Sequence, residues 1–184
     1  MKRALLVCYV GVLGPLSASS AQDASSELHT SLGIMVGRDN MTGAYSDGFK
    51  GGVAVGGVAQ FPTSSRRLSV RADVMLHIIG EKDEVCDERG CADQGLSATL
   101  GSATLSLVAR LNDPLVRWSP YVLVGPAAYL RDAAFESVRA NHFGVQGGVG
   151  FEVRSTQHTF FVEARYLGMP PGGVVPVILG LRFY

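Results

Sequence analysis

Apolar and polar residues alternate along much of the chain, most regularly between residues 143 and 166. From Phe143 to Arg154 the odd positions carry phenylalanine, valine or glycine, whereas the even positions carry glycine, glutamine, glutamate or arginine. After a short polar turn, the alternation resumes over residues 160–166. Because neighbouring side chains of a strand point to opposite faces, this stretch is predicted to be a β-hairpin with one apolar face.

The same two-residue period recurs in six further segments, and no helical period of any length is found. The links after the second, fourth and sixth segments are short, whereas those after the first, third and fifth are longer. The predicted strands are 29–37, 48–61, 68–79, 96–111, 116–131, 143–154, 160–166 and 174–184.

An even number of strands, with short turns on one rim and longer loops on the other, is typical of outer-membrane barrels. A tilted strand needs about ten residues to cross a bilayer, and the predicted strands have roughly that length. The predicted fold class is therefore all-β, an eight-stranded antiparallel up-and-down transmembrane β-barrel.

The apolar face is predicted to point outward, toward lipid. It carries large residues on all eight strands, whereas the other face has mostly small residues between its charges, which suits a narrow interior. Charges in such an interior must be paired. The opposite arrangement, a soluble periplasmic lipocalin-like barrel with apolar side chains inside, remains an alternative. The predicted interior charge network consists of Arg71, Asp73, Arg110, Arg131, Glu152, Arg154, Glu163, Arg165 and Arg182.

Residues 1–21 have the layout of a cleavable secretory signal peptide. Lys2 and Arg3 precede an apolar run over residues 4–16, which is short for a membrane helix. Small residues precede the expected cleavage site between Ala21 and Gln22. We therefore expect export from the cytoplasm, followed by a single barrel domain over residues 22–184.

The charge balance argues against a nucleic-acid partner. Without Lys2 and Arg3, 14 of the 16 basic residues remain beside 16 acidic ones, whereas nucleic-acid binding requires a basic face. No cofactor is indicated, and we expect a monomer.

Four features together resemble the small outer-membrane β-barrel family that contains the OmpX and OmpA transmembrane barrels. They are the signal peptide, GVQGGVGFEVR and FFVEARYL in the hairpin, PYVLVGPAAYL at residues 120–130, and the terminal VILGLRFY. The resemblance implies a bacterial outer-membrane location, with membrane lipid and lipopolysaccharide as neighbours. It also implies recognition of the last strand by the barrel-assembly machinery, although the alternation places Phe183 rather than Tyr184 on the lipid side.

The long loop after the third strand holds the two cysteines of the mature chain, Cys86 and Cys91. In an oxidising compartment this spacing predicts a disulfide. A metal site that also uses His77 or Asp87 is the alternative, although a single cysteine pair is a weak signal. The acidic residues of the loop lack the spacing of a calcium site and are interpreted as a solvated surface; they are Asp83, Glu84, Asp87, Glu88 and Asp93.

An acyl hydrolase requires a serine, a base and an orienting carboxylate. Glu136, Ser137 and His142 in the loop after the fifth strand provide those residue types, but they follow no recognised motif. We therefore predict no catalytic, cofactor-binding or metal site, and a non-enzymatic structural or surface-interaction role with a packed polar interior. A small-solute channel and a lipid-modifying enzyme are the alternatives.

Overall fold

The computed structural model describes residues 30–81, 84–87, 90–93, 97–112, 116–131, 143–170 and 172–184. The predicted signal peptide and its cleavage site lie outside these residues. The strands and the short helix are β1 (Ser31–Gly43), α1 (Tyr45–Gly48), β2 (Phe49–Pro62), β3 (Leu68–Glu81), β4 (Glu84–Asp87), β5 (Gly90–Asp93), β6 (Ser97–Arg110), β7 (Trp118–Arg131), β8 (Phe143–Arg154), β9 (His158–Met169) and β10 (Gly172–Phe183).

Eight of these strands form one closed sheet in the order β1-β10-β9-β8-β7-β6-β3-β2. Every neighbouring pair is antiparallel, and β1 closes the barrel by pairing with β10 from Leu32 opposite Phe183 to Gly43 opposite Gly172. Closure gives each strand two neighbours, so the backbone hydrogen bonds are satisfied within the sheet, as a lipid environment requires. The predicted eight-stranded up-and-down barrel is confirmed.

The two ends of the barrel differ in their connections. At the short-turn rim, β2, β6 and β8 are joined to the next barrel strand by residues 63–67, 111–117 and 155–157, and the described chain begins and ends there. The long-loop rim carries the links that follow β1, β3, β7 and β9. The link after β3 contains a separate two-stranded sheet, β4-β5, in a region predicted to be a loop.

The first long loop is shorter than the sequence predicted. Residues 38–43 were expected to belong to a loop because polar and turn-forming residues dominate them, but β1 continues to Gly43. Pairing with β10 explains the difference, since Asn40 lies opposite Val175 and the ladder continues above it. The strand ends at Gly43, whose φ of 64° suits glycine. No helix in the described part of the chain is long and apolar enough to cross a bilayer.

The two faces of the sheet differ as the alternation predicts. Val149 and Leu179 are each 60% exposed on the outside of the barrel, whereas Glu152 and Glu163 point inward and are 1% and 2% exposed. The same alternation of exposed and buried positions runs along the other barrel strands. The apolar face therefore points outward, as predicted, and the alternative with apolar side chains inside the barrel is not found.

Candidate functional site

The barrel interior is the candidate site, because the polar and charged side chains of several strands converge there. Its part near the short-turn rim, called the charged half below, holds the ion pairs. Its part near the long-loop rim, called the apolar half, holds hydrophobic side chains. The charged half comprises Arg71, Asp73, Arg110, Glu152, Arg154, Glu163, Arg165 and Arg182, with Gln60 and Tyr121.

Glu163 on β9 is the first centre of the charged half. Its carboxylate accepts hydrogen bonds from Arg71 Nη1 at 2.7 Å, Tyr121 Oη at 2.5 Å and Arg165 Nε at 2.6 Å. Arg165 also donates from Nη1 to Asp73 Oδ2 at 2.8 Å. Glu163 and Asp73 are thus each paired with a guanidinium, which offsets part of the cost of removing the charges from water.

Glu152 on β8 is the second centre, closer to the short-turn rim. It accepts from Arg182 Nη2 at 2.5 Å, Arg110 Nε at 2.7 Å and Arg154 Nη2 at 2.7 Å. These arginines differ in exposure, because the side chain of Arg182 is 1% exposed but those of Arg110 and Arg154 are 11% and 20% exposed. The cluster therefore runs from a sealed interior to a rim in contact with solvent.

Within the charged half, the fully buried charges balance. Three arginines, Arg71, Arg165 and Arg182, are enclosed with three carboxylates, Asp73, Glu152 and Glu163. The positive excess of the charged half comes from Arg110 and Arg154 at the rim. This distribution is expected because an uncompensated charge costs least where water reaches it.

Two aromatic rings lie against the arginines. The Arg71 guanidinium carbon lies 5.2 Å from the centre of the Tyr121 ring and 5.1 Å from that of Phe161, and Arg182 lies 5.5 Å from Phe161. The rings fit because glycine stands opposite each of them: Gly150 faces Tyr121 and Gly180 faces Phe161. A Cβ at either glycine would overlap the ring.

Gln60 on β2 belongs to the network but was not among the predicted residues. Its Oε1 accepts from Arg71 Nη2 at 3.0 Å and from Arg182, while its Nε2 donates to Ser69 Oγ at 2.7 Å. A signal was available in the sequence, because Gln60 occupies an inward position of a strand whose other inward positions are small or apolar.

A second polar group lies between the two halves. His77 Nδ1 is 2.9 Å from Asp39 Oδ2, and His77 Nε2 is 3.0 Å from Ser102 Oγ. A neutral His77 with its proton on Nδ1 donates to Asp39 and accepts from Ser102. The order of groups matches the serine, histidine and aspartate of acyl hydrolases. However, Asp39 and His77 are 0% exposed and Ser102 is 4% exposed, so a substrate cannot reach the serine in this state.

The apolar half differs from the packed polar interior, with small residues between its charges, that the sequence predicted. Its buried core is formed by Tyr45, Ile79, Ala98, Leu100, Ala127, Tyr129, Leu167, Met169 and Val174. Most of these residues lie at inward positions of strand ends, where the predicted segments stopped or the alternation is weak. Tyr45 comes from α1, which places its ring against this core at the long-loop rim.

Several predicted site residues cannot be placed. The side chains of Arg131, Cys86 and Cys91 lie outside the described part of the structure, as do Glu136, Ser137 and His142 entirely. The backbone of the β4-β5 ladder does place Cys86 directly opposite Cys91. That register brings the two residues close, and the disulfide stays a prediction.

Comparison with known proteins supports the fold. No protein-family model matches the sequence, and no curated protein matches it. Among solved structures, Neisserial surface protein A is similar with a TM-score of 0.54 and 10% identity, over 84% of this chain and 96% of that one. Ail, the attachment invasion locus protein of Yersinia pestis, matches with a TM-score of 0.50 and 14% identity, over 83% and 97% of the two chains.

The N-terminal β-barrel domain of Pseudomonas aeruginosa OprF is also similar, with a TM-score of 0.50 and 14% identity over 83% of this chain and 96% of that domain. At such low identities the likeness concerns the fold. The chain thus has the fold of the small eight-stranded outer-membrane barrels, which is the family that the sequence resembles.

Proposed function

We propose that this protein is a non-enzymatic barrel of the bacterial outer membrane that presents its long loops for a structural or surface-interaction role. The observation that carries the proposal is the combination of an apolar outer face with a packed interior. Large exposed hydrophobic patches on a protein mark contact with a partner or a membrane. Here they encircle the whole barrel, which a bilayer covers more completely than a single protein partner.

Aromatic residues support the membrane location. Phe61, Trp118, Phe160 and Phe183 lie at outward positions near the short-turn rim and are 43–56% exposed. The rings of Trp118 and Phe151 also stack, with centroids 5.8 Å apart. A girdle of aromatic side chains at the membrane interface is usual in outer-membrane barrels.

The interaction role rests on analogy and on loop placement. The names of two structurally similar proteins describe a surface protein and an attachment locus. Because one barrel fold hosts many functions, these names provide an analogy only. In this chain the two longest connections, which follow β3 and β7, leave from the same rim. Loops on a rigid scaffold are common binding surfaces.

A small-solute channel is disfavoured by the packing of the interior. A water-filled lumen would expose its charged lining, but Arg71, Glu163 and Arg165 are at most 2% exposed. The apolar half then closes the other end of the same lumen. We expect no single-channel conductance above the baseline of planar lipid bilayers.

A hydrolase is favoured by one observation, the contact of His77 with both Ser102 and Asp39. Burial of all three groups argues against it. A fluorophosphonate probe that labels activated serines should leave the folded protein unlabelled. Ser102→Ala should be unlabelled as well. Labelling that disappears only in Ser102→Ala would instead identify an enzyme.

Insertion into the membrane is expected to use the last strand. β10 closes the barrel against β1, and its Phe183 side chain faces outward near the short-turn rim. We propose that the barrel-assembly machinery recognises this strand, and that outer-membrane lipid and lipopolysaccharide surround a monomeric barrel.

The proposal is tested by expressing the full chain in a Gram-negative host and separating the membranes. We expect the protein in the outer-membrane fraction, with a gel mobility that changes on boiling because the closed barrel resists detergent at room temperature. The same chain without residues 1–21 should remain in the cytoplasm. A full chain recovered in the soluble periplasmic fraction without a mobility shift would refute the proposal.

A further inference from the structure

The outer face of the barrel carries a charged residue, Arg38, that the interior network does not explain. Arg38 lies at an outward position of β1, in line with Ile34 and Val36. It is exposed, and no described side chain or carbonyl accepts a hydrogen bond from its guanidinium. An arginine on a lipid-facing strand destabilises a barrel when it lies deep in the bilayer, so its retention requires an explanation.

Arg38 lies in the half of the apolar band that is nearer the long-loop rim. Six residues separate it from Leu32, which corresponds to about 15 Å along the axis for a tilted strand and leaves roughly 10 Å to the upper edge of an apolar band of about 25 Å. The outward positions below it, Ile34 and Val36, are apolar. The outward positions above it are Asn40 and Thr42, so the outward face of β1 is polar from Arg38 to the end of the strand.

A groove on the outer surface begins beside this arginine. Its volume is about 680 Å³, and its apolar walls come from Val36, Val53, Val177 and Leu179, with Arg38 and Asn40 among the lining residues. Val53 and Val177 are the cross-strand partners of Arg38 on β2 and β10. An apolar groove with a guanidinium on its polar side complements an amphiphile that has an anionic head and acyl chains.

We propose that Arg38 and this groove form a binding site for a phosphorylated glycolipid of the outer leaflet, with the phosphate on Arg38 and an acyl chain against the valines. This inference rests on the proposed function, because it requires the long-loop rim to face the outer leaflet. Arginine donates two parallel hydrogen bonds to phosphate, which favours it over a point charge. Long arginine side chains also reach the interface from positions inside the band.

The test uses the full mature chain, refolded in detergent micelles and titrated with diphosphorylated lipid A while binding is followed by native mass spectrometry. Arg38→Gln should weaken binding about tenfold, because it removes a charge-assisted contact. The affinity of Arg38→Lys for lipid A should lie between those of wild type and Arg38→Gln, since lysine keeps the charge but loses the paired hydrogen bonds. Arg67→Gln is the matched control, because Arg67 is an exposed arginine in a turn at the opposite rim.

Dephosphorylated lipid A and inorganic phosphate complete the design. All variants should bind the dephosphorylated lipid equally, and inorganic phosphate should not compete. Equal binding of diphosphorylated lipid A by wild type and Arg38→Gln would overturn the inference, and so would an equal loss with the dephosphorylated lipid. Competition by inorganic phosphate would show a general anion site and would also overturn it.

Failure of this inference can be told apart from failure of the proposed function. Removing a charge from the lipid-facing band should not impair folding, so the heat-dependent mobility of Arg38→Gln should equal that of wild type. A folded variant with unchanged lipid A affinity would overturn only the site, whereas a soluble wild-type chain would refute the membrane location itself.

Discussion

The charged half and the apolar half of the interior both exclude water, but they do so with different chemistry. In the charged half, three buried carboxylates are surrounded by arginines at hydrogen-bonding distance. In the apolar half, leucine, isoleucine, methionine and tyrosine side chains pack without ion pairs between them. A buried ion pair contributes little net stability but is costly to break, whereas a packed leucine contributes directly. The two halves should therefore respond differently to substitution.

The largest effect is expected in the charged half, where Glu163→Ala leaves Arg71 and Arg165 with one carboxylate fewer. We expect a loss of about 3–5 kcal/mol in the free energy of unfolding, because uncompensated buried charge remains. Urea titration in lipid vesicles measures it, with the fluorescence of Trp118, the one tryptophan of the chain, as the signal. Glu163→Gln keeps the shape of the side chain and one acceptor oxygen, so it should lose less stability than Glu163→Ala. Equal stability of Glu163→Ala and wild type would show that the ion pairs are dispensable.

A substitution in the apolar half should cause a slightly smaller loss in the free energy of unfolding. Leu100 is 0% exposed within the core beneath the long-loop rim, and Leu100→Ala should cost about 3 kcal/mol through lost burial and the cavity left behind. Leu105→Ala is the matched control, because Leu105 lies on the same strand but points outward. Lipid can fill the space at the outer position, so the control should lose less. A larger loss in Leu105→Ala than in Leu100→Ala would mean that the apolar half is loosely packed.

These two halves were not equally visible in the sequence. The charged half could be predicted because Arg165 and Glu163 occupy alternate positions in a strand whose intervening residues are apolar, and charge on an inward face must be paired. Which arginine meets which carboxylate could not be predicted, since Arg71 and Glu163 lie 92 residues apart and meet across the lumen. That contact depends on barrel closure rather than on any local pattern.

The apolar half was missed for a local reason. Leu100 and Ile79 lie near strand ends, where alternation involves too few residues to separate an inward leucine from an outward one. Asp39 was missed because turn-forming neighbours place it in an apparent loop, although it lies in β1 and contacts His77. Sequence patterns thus identify the faces of long strands, whereas closure and strand extension determine the contacts at their ends.

Gly180→Ala tests the packing that supports the charged half and should have a moderate effect. The new methyl group would overlap the Phe161 ring, which lies against Arg71 and Arg182. Overpacking of this kind typically costs about 1–3 kcal/mol. Gly57→Ala is the matched control, because Gly57 faces outward and a Cβ there would have only Gly33 O within reach, at 3.8 Å. An equal effect of the two substitutions would show that the ring has room to move.

The smallest effect is expected where the charged half meets solvent. Arg154 and Arg182 contact the same carboxylate, Glu152, but their side chains are 20% and 1% exposed. Arg154→Gln should cost less than about 1 kcal/mol, because water reaches the Arg154 side chain and Glu152 keeps Arg110 and Arg182, whereas Arg182→Gln should cost more because it breaks a pair that water does not reach. Salt provides the second measurement, since about 1 M salt screens exposed charges beyond roughly 3 Å. The loss in Arg154→Gln should therefore shrink at high salt, while the loss in Arg182→Gln should persist. If both losses were equally large and equally insensitive to salt, the short-turn rim would be as sealed as the interior, and the gradient from buried to solvated charge would not exist.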